Sequence, residues 1–355
     1  MELAKRFVFS KNITLRKFLN FCIVSFQFSM IKPTRVIGYP VELVIDPCDI
    51  CNLHCPLCPT GQGRADRSKG KMSFDNFRRI IDELGTYLYR VDLHNWGEPL
   101  LNDEIYRMIS YARASNIEVR VSSNLNVIDR EKAEKLVKSG LDVLIVSLDG
   151  ASQETYMQYR VGGRFDKVTR GIKMITQIKK EMGTSKPFII WQFLVMRHNE
   201  REISLAKDIA KELEVDQLNL SAIHCDMGRE IFWDDKTRLE KTAKWLPRNE
   251  KFCVYDLATG KRKKRSKTCN FLWVQSAINW NGSVSPCCAL YDEKYDFGNA
   301  FDISFKNVWN NEKYRQARKI VRTKKPTKKR SSKCVLLLRQ KWFHLKFLTV
   351  SSWPT

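Results

Sequence analysis

The chain has 355 residues, 43% of them hydrophobic, with 62 basic against 39 acidic residues and a net charge of +23. That length and apolar fraction bury a full core with room for a smaller second unit, and exclude global disorder. A chain this large needs no disulfide staples, so the spacing of its 11 cysteines points to metal ligation in a reducing compartment, the cytoplasm.

In chain order, the first element is the apolar run over residues 18–31, which follows a basic stretch ending at Lys17. It lacks a small-residue cleavage site and is too short to span a bilayer. It predicts an amphipathic helix within an N-terminal segment, 1–39, packed against the protein. Peripheral contact with a membrane surface is its alternative use. Residues 41–46 then predict a buried strand. A strand–helix alternation follows, with strands over 88–94, 117–123, 141–150, 188–196 and 216–223. Helices are predicted over 74–84 (Ser73 as N-cap), 103–114, 130–139, 152–159, 165–181 and 199–213. About six such units predict an α/β fold, a partial (β/α)6 TIM-like barrel over residues 40–245, with a doubly wound sheet as the alternative. The strands read as apolar on both faces.

Composition shifts after about residue 230, with a last helical pattern near 235–245. Residues 250–340 are rich in cysteine, tryptophan and turns and predict a small second domain, leaving 341–355 as a tail. Within it, 278–286 reads as a hairpin turning at Asn281-Gly282. Two basic runs stand out: Lys261, Arg262, Lys263, Lys264, Arg265 and Lys267, then Arg322, Lys324, Lys325, Lys328, Lys329, Arg330 and Lys333. They read first as solvated loops and second as a site for an acidic partner. No aromatic residues are interleaved, so nucleic acid is not an expected partner.

The densest chemical signal is Cys51-Asn52-Leu53-His54-Cys55-Pro56-Leu57-Cys58, directly after the first strand. A zinc site would call for a fourth ligand, and none sits at a typical distance. Three thiolates on a four-iron cube leave one iron open. This loop resembles the signature of the radical S-adenosylmethionine (SAM) superfamily. The resemblance implies a [4Fe–4S] cluster on Cys51, Cys55 and Cys58 whose open iron chelates SAM. It also implies reductive cleavage of SAM to methionine and a 5′-deoxyadenosyl radical. Cys48 falls outside the pattern and reads as a packed thiol, and Leu57 stands where the family often has an aromatic residue near the adenine.

The same resemblance assigns SAM contacts at later strand ends, where barrel enzymes gather functional groups. Gly97-Glu98-Pro99 resembles the motif that holds the SAM amino group, with Trp96 in place of its first glycine. Ser122, Asn124, Ser147 and Asp149 resemble positions that contact the methionyl group and ribose. Arg160 is the expected partner of the SAM carboxylate, and Gln192 lies on the strand that borders the adenine or ribose. His94, His198 and His224 read as satisfied polar residues rather than acid–base groups.

Further on, Cys269, Gly282, Cys287-Cys288, Gly298-Asn299 and Val308-Trp309 resemble the SPASM or twitch extension, which carries auxiliary iron–sulfur clusters. Cys269, Cys287 and Cys334 would supply three ligands, with Cys288 or Cys253 as a fourth. An open iron, or no stable cluster, is the alternative. Leu337 occupies the place of a final cysteine. The resemblance covers residues 40–335 and implies hydrogen abstraction from a peptide or small polar, sugar-like substrate, with flavodoxin or ferredoxin as electron donor. The competing expectation is a non-catalytic iron–sulfur or zinc protein that binds nucleic acid through its basic runs.

Overall fold

Amphipathic helices alternating with short strands can bury their apolar stripes only by covering one face of a shared sheet. The computed structural model describes residues 13–225, 235–261, 263 and 271–323. After helix α1 (Leu15–Phe26), strands β1 (Glu42–Ile45), β2 (Arg90–Leu93), β3 (Glu118–Ser123), β4 (Val143–Ser147), β5 (Phe188–Val195) and β6 (Gln217–Ala222) lie side by side in chain order. Every pair among these six is parallel. The crossovers carry α2 (Phe74–Leu84), α3 (Ile105–Ala114), α4 (Arg130–Lys138), α5 (Gln153–Tyr159) with α6 (Phe165–Glu181), and α7 (Ile203–Glu212). Helix starts follow the sequence: Ser73 accepts from Asn76 N at 3.3 Å, Asp129 from Lys132 N at 2.8 Å and Ser152 from Thr155 N at 3.3 Å. The result is the partial barrel.

One expectation is corrected. The outer face of the strands is uniformly apolar, with Leu43, Ile45, Val91, Leu93, Val119, Val121, Leu144 and Val146 fully buried in the main core, whereas the inner face is mixed. Its positions carry Arg90, Asp92, Glu118, Arg120, Ser122, Ser147 and Gln192 beside the apolar Val44, Val143, Ile145, Ile190 and Leu194. A strand's period of two sends these to the inner face, which an open barrel leaves as a polar lumen.

The C-terminal hairpin does not form a sheet of its own. β7 (Gln275–Ile278) pairs in parallel with β1, and β8 (Val284–Ser285) returns antiparallel beside it, giving the order β6-β5-β4-β3-β2-β1-β7-β8. Gly282, at φ +83°, makes the turn, and an added Cβ would fall 2.4 Å from the Phe301 ring. Arg67, on the arm after the cysteine loop, fastens this hairpin. Its guanidinium forks onto Asp296 at 2.9 and 3.0 Å and donates to Tyr291 O at 2.6 Å. After α8 (Asp235–Thr242), the helices α9 (Phe305–Trp309) and α10 (Glu312–Thr323) close the described chain. Trp309 donates to Gly38 O at 3.0 Å, and Arg318 to Leu272 O at 2.7 Å.

Candidate functional site

The cysteine loop leaves the C-terminal end of β1 and is pinned by backbone. His54 N donates to Val161 O at 2.9 Å, Cys58 N to Cys55 O at 3.1 Å and Gln62 N to Cys58 O at 2.9 Å. Gly61 packs directly on Cys55, where a Cβ would stand 2.5 Å from its nitrogen. The three cysteines share an apolar cluster with Leu53, Leu57 and Tyr159. Burial pushes the Cys51 thiol up to about 12 and raises that of Cys55, against which the Arg160 charge pulls. Thiolates in such a place need a strong local cation, which iron supplies. Among the described residues no three His, Cys, Asp or Glu side chains converge as ligands of one ion. The three thiols of one loop are an all-sulfur donor set, which an iron–sulfur cluster takes. The donor set fits a cluster.

Groups from three later strand ends close on this loop. Arg160 Nε donates to Asp149 Oδ2 at 2.6 Å while its Nη1 reaches Cys55 Sγ at 3.9 Å. Burial opposes the guanidinium's charge, yet Asp149 and Cys55 hold its pKa well above the usual arginine range. Asp149 is fully buried, and its other oxygen accepts from Leu194 N at 2.7 Å. Its carboxylate therefore aims Arg160. Asn124 Nδ2 approaches Cys51 Sγ at 3.8 Å and donates to Asn52 Oδ1 at 3.0 Å. Glu98 is also buried: one oxygen accepts from Ser123 Oγ at 2.7 Å and Leu100 N at 3.1 Å, the other from Asn124 N at 2.8 Å. Burial raises its pKa against these bonds. Its side chain ties the ends of β2 and β3 together. The neighbouring Gly97 is obligatory, since a Cβ would fall 1.9 Å from Cys48 O. Pro99 opens the buried 3-10 turn that follows.

Ser122 and Ser147 face each other across adjacent strands with hydroxyls 3.4 Å apart. Gln192 accepts from Asn219 at 2.9 Å in the same inner layer. His94 departs from the sequence reading: its Nδ1 is buried with no hydrogen-bond partner, and burial lowers its pKa. Sequence reasoning missed Cys225, Trp245 and Tyr255, which pack with the cysteine loop from β6 onward, and placed Cys253 with the second cysteine group instead of here. Tyr159 meets Trp245 edge-on at 5.3 Å, and the Tyr255 hydroxyl accepts from Cys225 N at 2.9 Å. Nothing local in the sequence marks these positions; only the closing of the sheet brings them to the loop.

The second cysteine group lies against the same rim. The Asn95 amide, oriented to satisfy both neighbours, donates to Cys288 O at 3.3 Å and accepts from Trp96 Nε1 at 2.8 Å. Trp96 in turn meets the Tyr291 ring edge-on at 5.1 Å. Cys287 packs with Leu290 and Tyr295. Cys253 belongs to the first loop's cluster, away from this packing. Cys269 and Cys334 lie outside the described residues, as does most of both basic runs.

Comparison with known proteins places this geometry in context. The model of the radical SAM superfamily matches residues 45–200, and that of an iron–sulfur cluster-binding domain, SPASM, matches residues 269–335. An Fe-coproporphyrin III synthase of Methanosarcina barkeri is 29% identical over 169 residues, covering 47% of this chain and 40% of that one. The chain thus spans less than half the length of that relative, and 45% of an AdoMet-dependent heme synthase from the same organism. A mycofactocin maturase of Mycolicibacterium smegmatis is 26% identical, covering 80% of this chain and 74% of that one. Among solved structures, Streptococcus suis SuiB bound to S-adenosylmethionine superposes with a TM-score of 0.59 at 16% identity, covering 83% and 77% of the two chains. Native anSMEcpe with bound AdoMet gives 0.53 at 18% identity, covering 78% and 82%. At such identities these two speak for the fold alone.

Proposed function

The chain belongs to the radical SAM superfamily and carries a SPASM-type iron–sulfur domain, and on that footing we propose that it cleaves SAM reductively and abstracts hydrogen from a polar substrate held in the barrel lumen. When bound, the cluster supplies the electron that splits SAM into methionine and a 5′-deoxyadenosyl radical. The chain's own residues do the positioning. Cys51, Cys55 and Cys58 would hold the cluster. Arg160, aimed by Asp149, would pair with the SAM carboxylate, and the Gly97–Pro99 backbone would receive the amino group. Leu57 would supply apolar contact to the adenine, and Asn124, Ser122, Ser147 and Gln192 would face the ribose or the substrate. Cys287 and Cys288, with Cys269 and Cys334, would bind the auxiliary cluster beside the same rim.

One observation carries this reading: a half-buried arginine is fixed between a carboxylate and a cluster-loop thiol, at the mouth of a polar lumen. The layer of Asp92, His94, Ser122, Ser147, Gln192 and Asn219 offers donors and acceptors in place of an apolar slot. That favours a peptide or a small hydroxyl-rich molecule over a lipid-like one. The test is anaerobic reconstitution with iron and sulfide, followed by SAM and a strong reductant such as dithionite or reduced flavodoxin. Release of 5′-deoxyadenosine is expected. Protein that holds its full iron yet forms none would overturn the reading.

A further inference from the structure

Helix α1 is amphipathic in the inverted sense for a helix docked on protein. Its inner face, at the helical spacing of residues 17, 20, 24 and 27, is Lys17, Asn20, Val24 and Gln27, all buried. The polar heads are held by backbone. Lys17 Nζ donates to the carbonyls of Ser115 (3.3 Å) and Asn116 (2.7 Å). Asn20 donates to Tyr39 O at 3.0 Å and accepts from Tyr39 N at 2.9 Å, while Gln27 Oε1 accepts from Ile37 N at 3.3 Å and Gly38 N at 3.4 Å. Turning the helix over would strand these buried groups, so its orientation is fixed. The outer face is therefore apolar. Leu15, Leu19, Phe26, Met30 and the neighbouring Ile37 are 51 to 78% exposed. Single exposed apolar side chains are ordinary, but a continuous stripe marks a contact surface.

Charge indicates what the stripe meets. Between Glu2 and Glu42 there is no acidic residue, whereas Lys5, Arg6, Lys11, Arg16, Lys32 and Arg35 are all basic. Arg16 and Arg35 are exposed near the two ends of the stripe. Two copies packed face to face would set like charges against each other. An apolar stripe on a segment that carries cations and no acid instead matches the boundary of an anionic bilayer, where acyl chains take the apolar face and headgroup phosphates the cations. No helix among the described residues is long and apolar enough to cross a membrane, so α1 would lie in the plane of the interface. We propose that α1 seats this enzyme on an anionic lipid surface, and that its polar face is spent on holding the barrel in one orientation there.

The test is co-sedimentation of the full, reconstituted chain with vesicles of phosphatidylcholine and phosphatidylglycerol, and with phosphatidylcholine alone. Binding to the anionic vesicles at low salt is expected, with release as salt rises and little retention on the neutral ones. The neutral double substitution Leu19→Ser, Phe26→Ser should weaken binding roughly tenfold or more, with circular dichroism and SAM cleavage unchanged. Equal binding by the double variant would assign the effect to the basic runs and overturn the proposal. So would failure of the parent chain to bind, which would mean that the preceding residues cover the face. A dimer in light scattering that the substitution splits would give the face to a second copy and likewise overturn it. Vesicle binding is read without SAM, so this inference and the proposed chemistry fail separately.

Discussion

Two groups of thiols share one rim of the sheet, and they are built differently. Cys51, Cys55 and Cys58 sit on a single short loop, which costs little chain entropy to close. Side chains from the end of β3 and from just past α5 already touch its sulfurs. Cys287 and Cys288 instead follow a hairpin, and their expected partners Cys269 and Cys334 come from distant parts of the chain. That region is held by long-range ties such as the Arg67–Asp296 ion pair and the Trp96–Tyr291 ring contact. On the proposed ligand sets, the first site would be organised before it is loaded, and the second would need tertiary structure to collect its ligands, which would couple folding and loading there.

The most forceful way to break this comparison is to remove one thiol from each group. Cys55→Ala should cost about four irons per chain and reduce 5′-deoxyadenosine to the protein-free background. Cys287→Ala should also cost about four irons but leave SAM cleavage measurable. Iron counting and product analysis decide it, and the opposite pattern would reverse the two assignments. Asp296→Asn comes next. It leaves Arg67 buried without its anion, for which a loss of about 3–5 kcal/mol is expected in denaturant unfolding. Iron should be lost from the second group before the first. Gly97→Ala should cost about 3 kcal/mol, because the new methyl meets the Cys48 carbonyl and backbone must yield. Its effect belongs to the first loop, so SAM cleavage should fall further than thermal stability alone explains.

How much of this was legible in the sequence follows the same divide. Strand and helix limits fell within a few residues of prediction, because period and caps are local signals: Ser73 caps α2 as read, and α5 begins within a residue of its predicted start. The cysteine loop was legible for the same reason. The mixed inner face was not. Runs such as Leu-Ile-Val in β4 look uniformly apolar, while Arg90, Asp92 and Arg120 read as ordinary exposed charges until the strands are curved into a lumen. The buried face of α1 was likewise hidden, since its partners are backbone carbonyls and amides that carry no sequence mark. Asp149 and Glu98 were expected at the site, and the structure adds their hydrogen bonds, Asp149 to Arg160 and Leu194 and Glu98 to the end of β3 and to Leu100.

Asp46 lies where the two thiol regions meet, and it yields the smallest expected effect and the finest test. It ends β1, is almost fully buried, has one oxygen without a hydrogen bond, and takes the other to Trp96 N at 3.4 Å. Trp96 carries that contact on to Tyr291 in the second region. Burial, reinforced by the charge of Asp49, raises the Asp46 carboxyl well above its usual range. A carboxyl raised in this way binds more protons in the folded than in the unfolded chain. Its contribution to stability is therefore full below the unfolded value of about 3.9, and is lost as pH climbs through the folded value. Asp46→Asn removes the titration while keeping the shape. Around neutral pH the variant should be more stable than the parent by about 1 kcal/mol, and the gap should close as pH falls toward 4. If the carboxylate is retained for the chemistry, the same variant will gain in melting temperature and lose in turnover, as strained functional sites do. A gap that does not change with pH would show that Asp46 stays ionised in the fold, and that the junction between the two regions is held by charge rather than by shape.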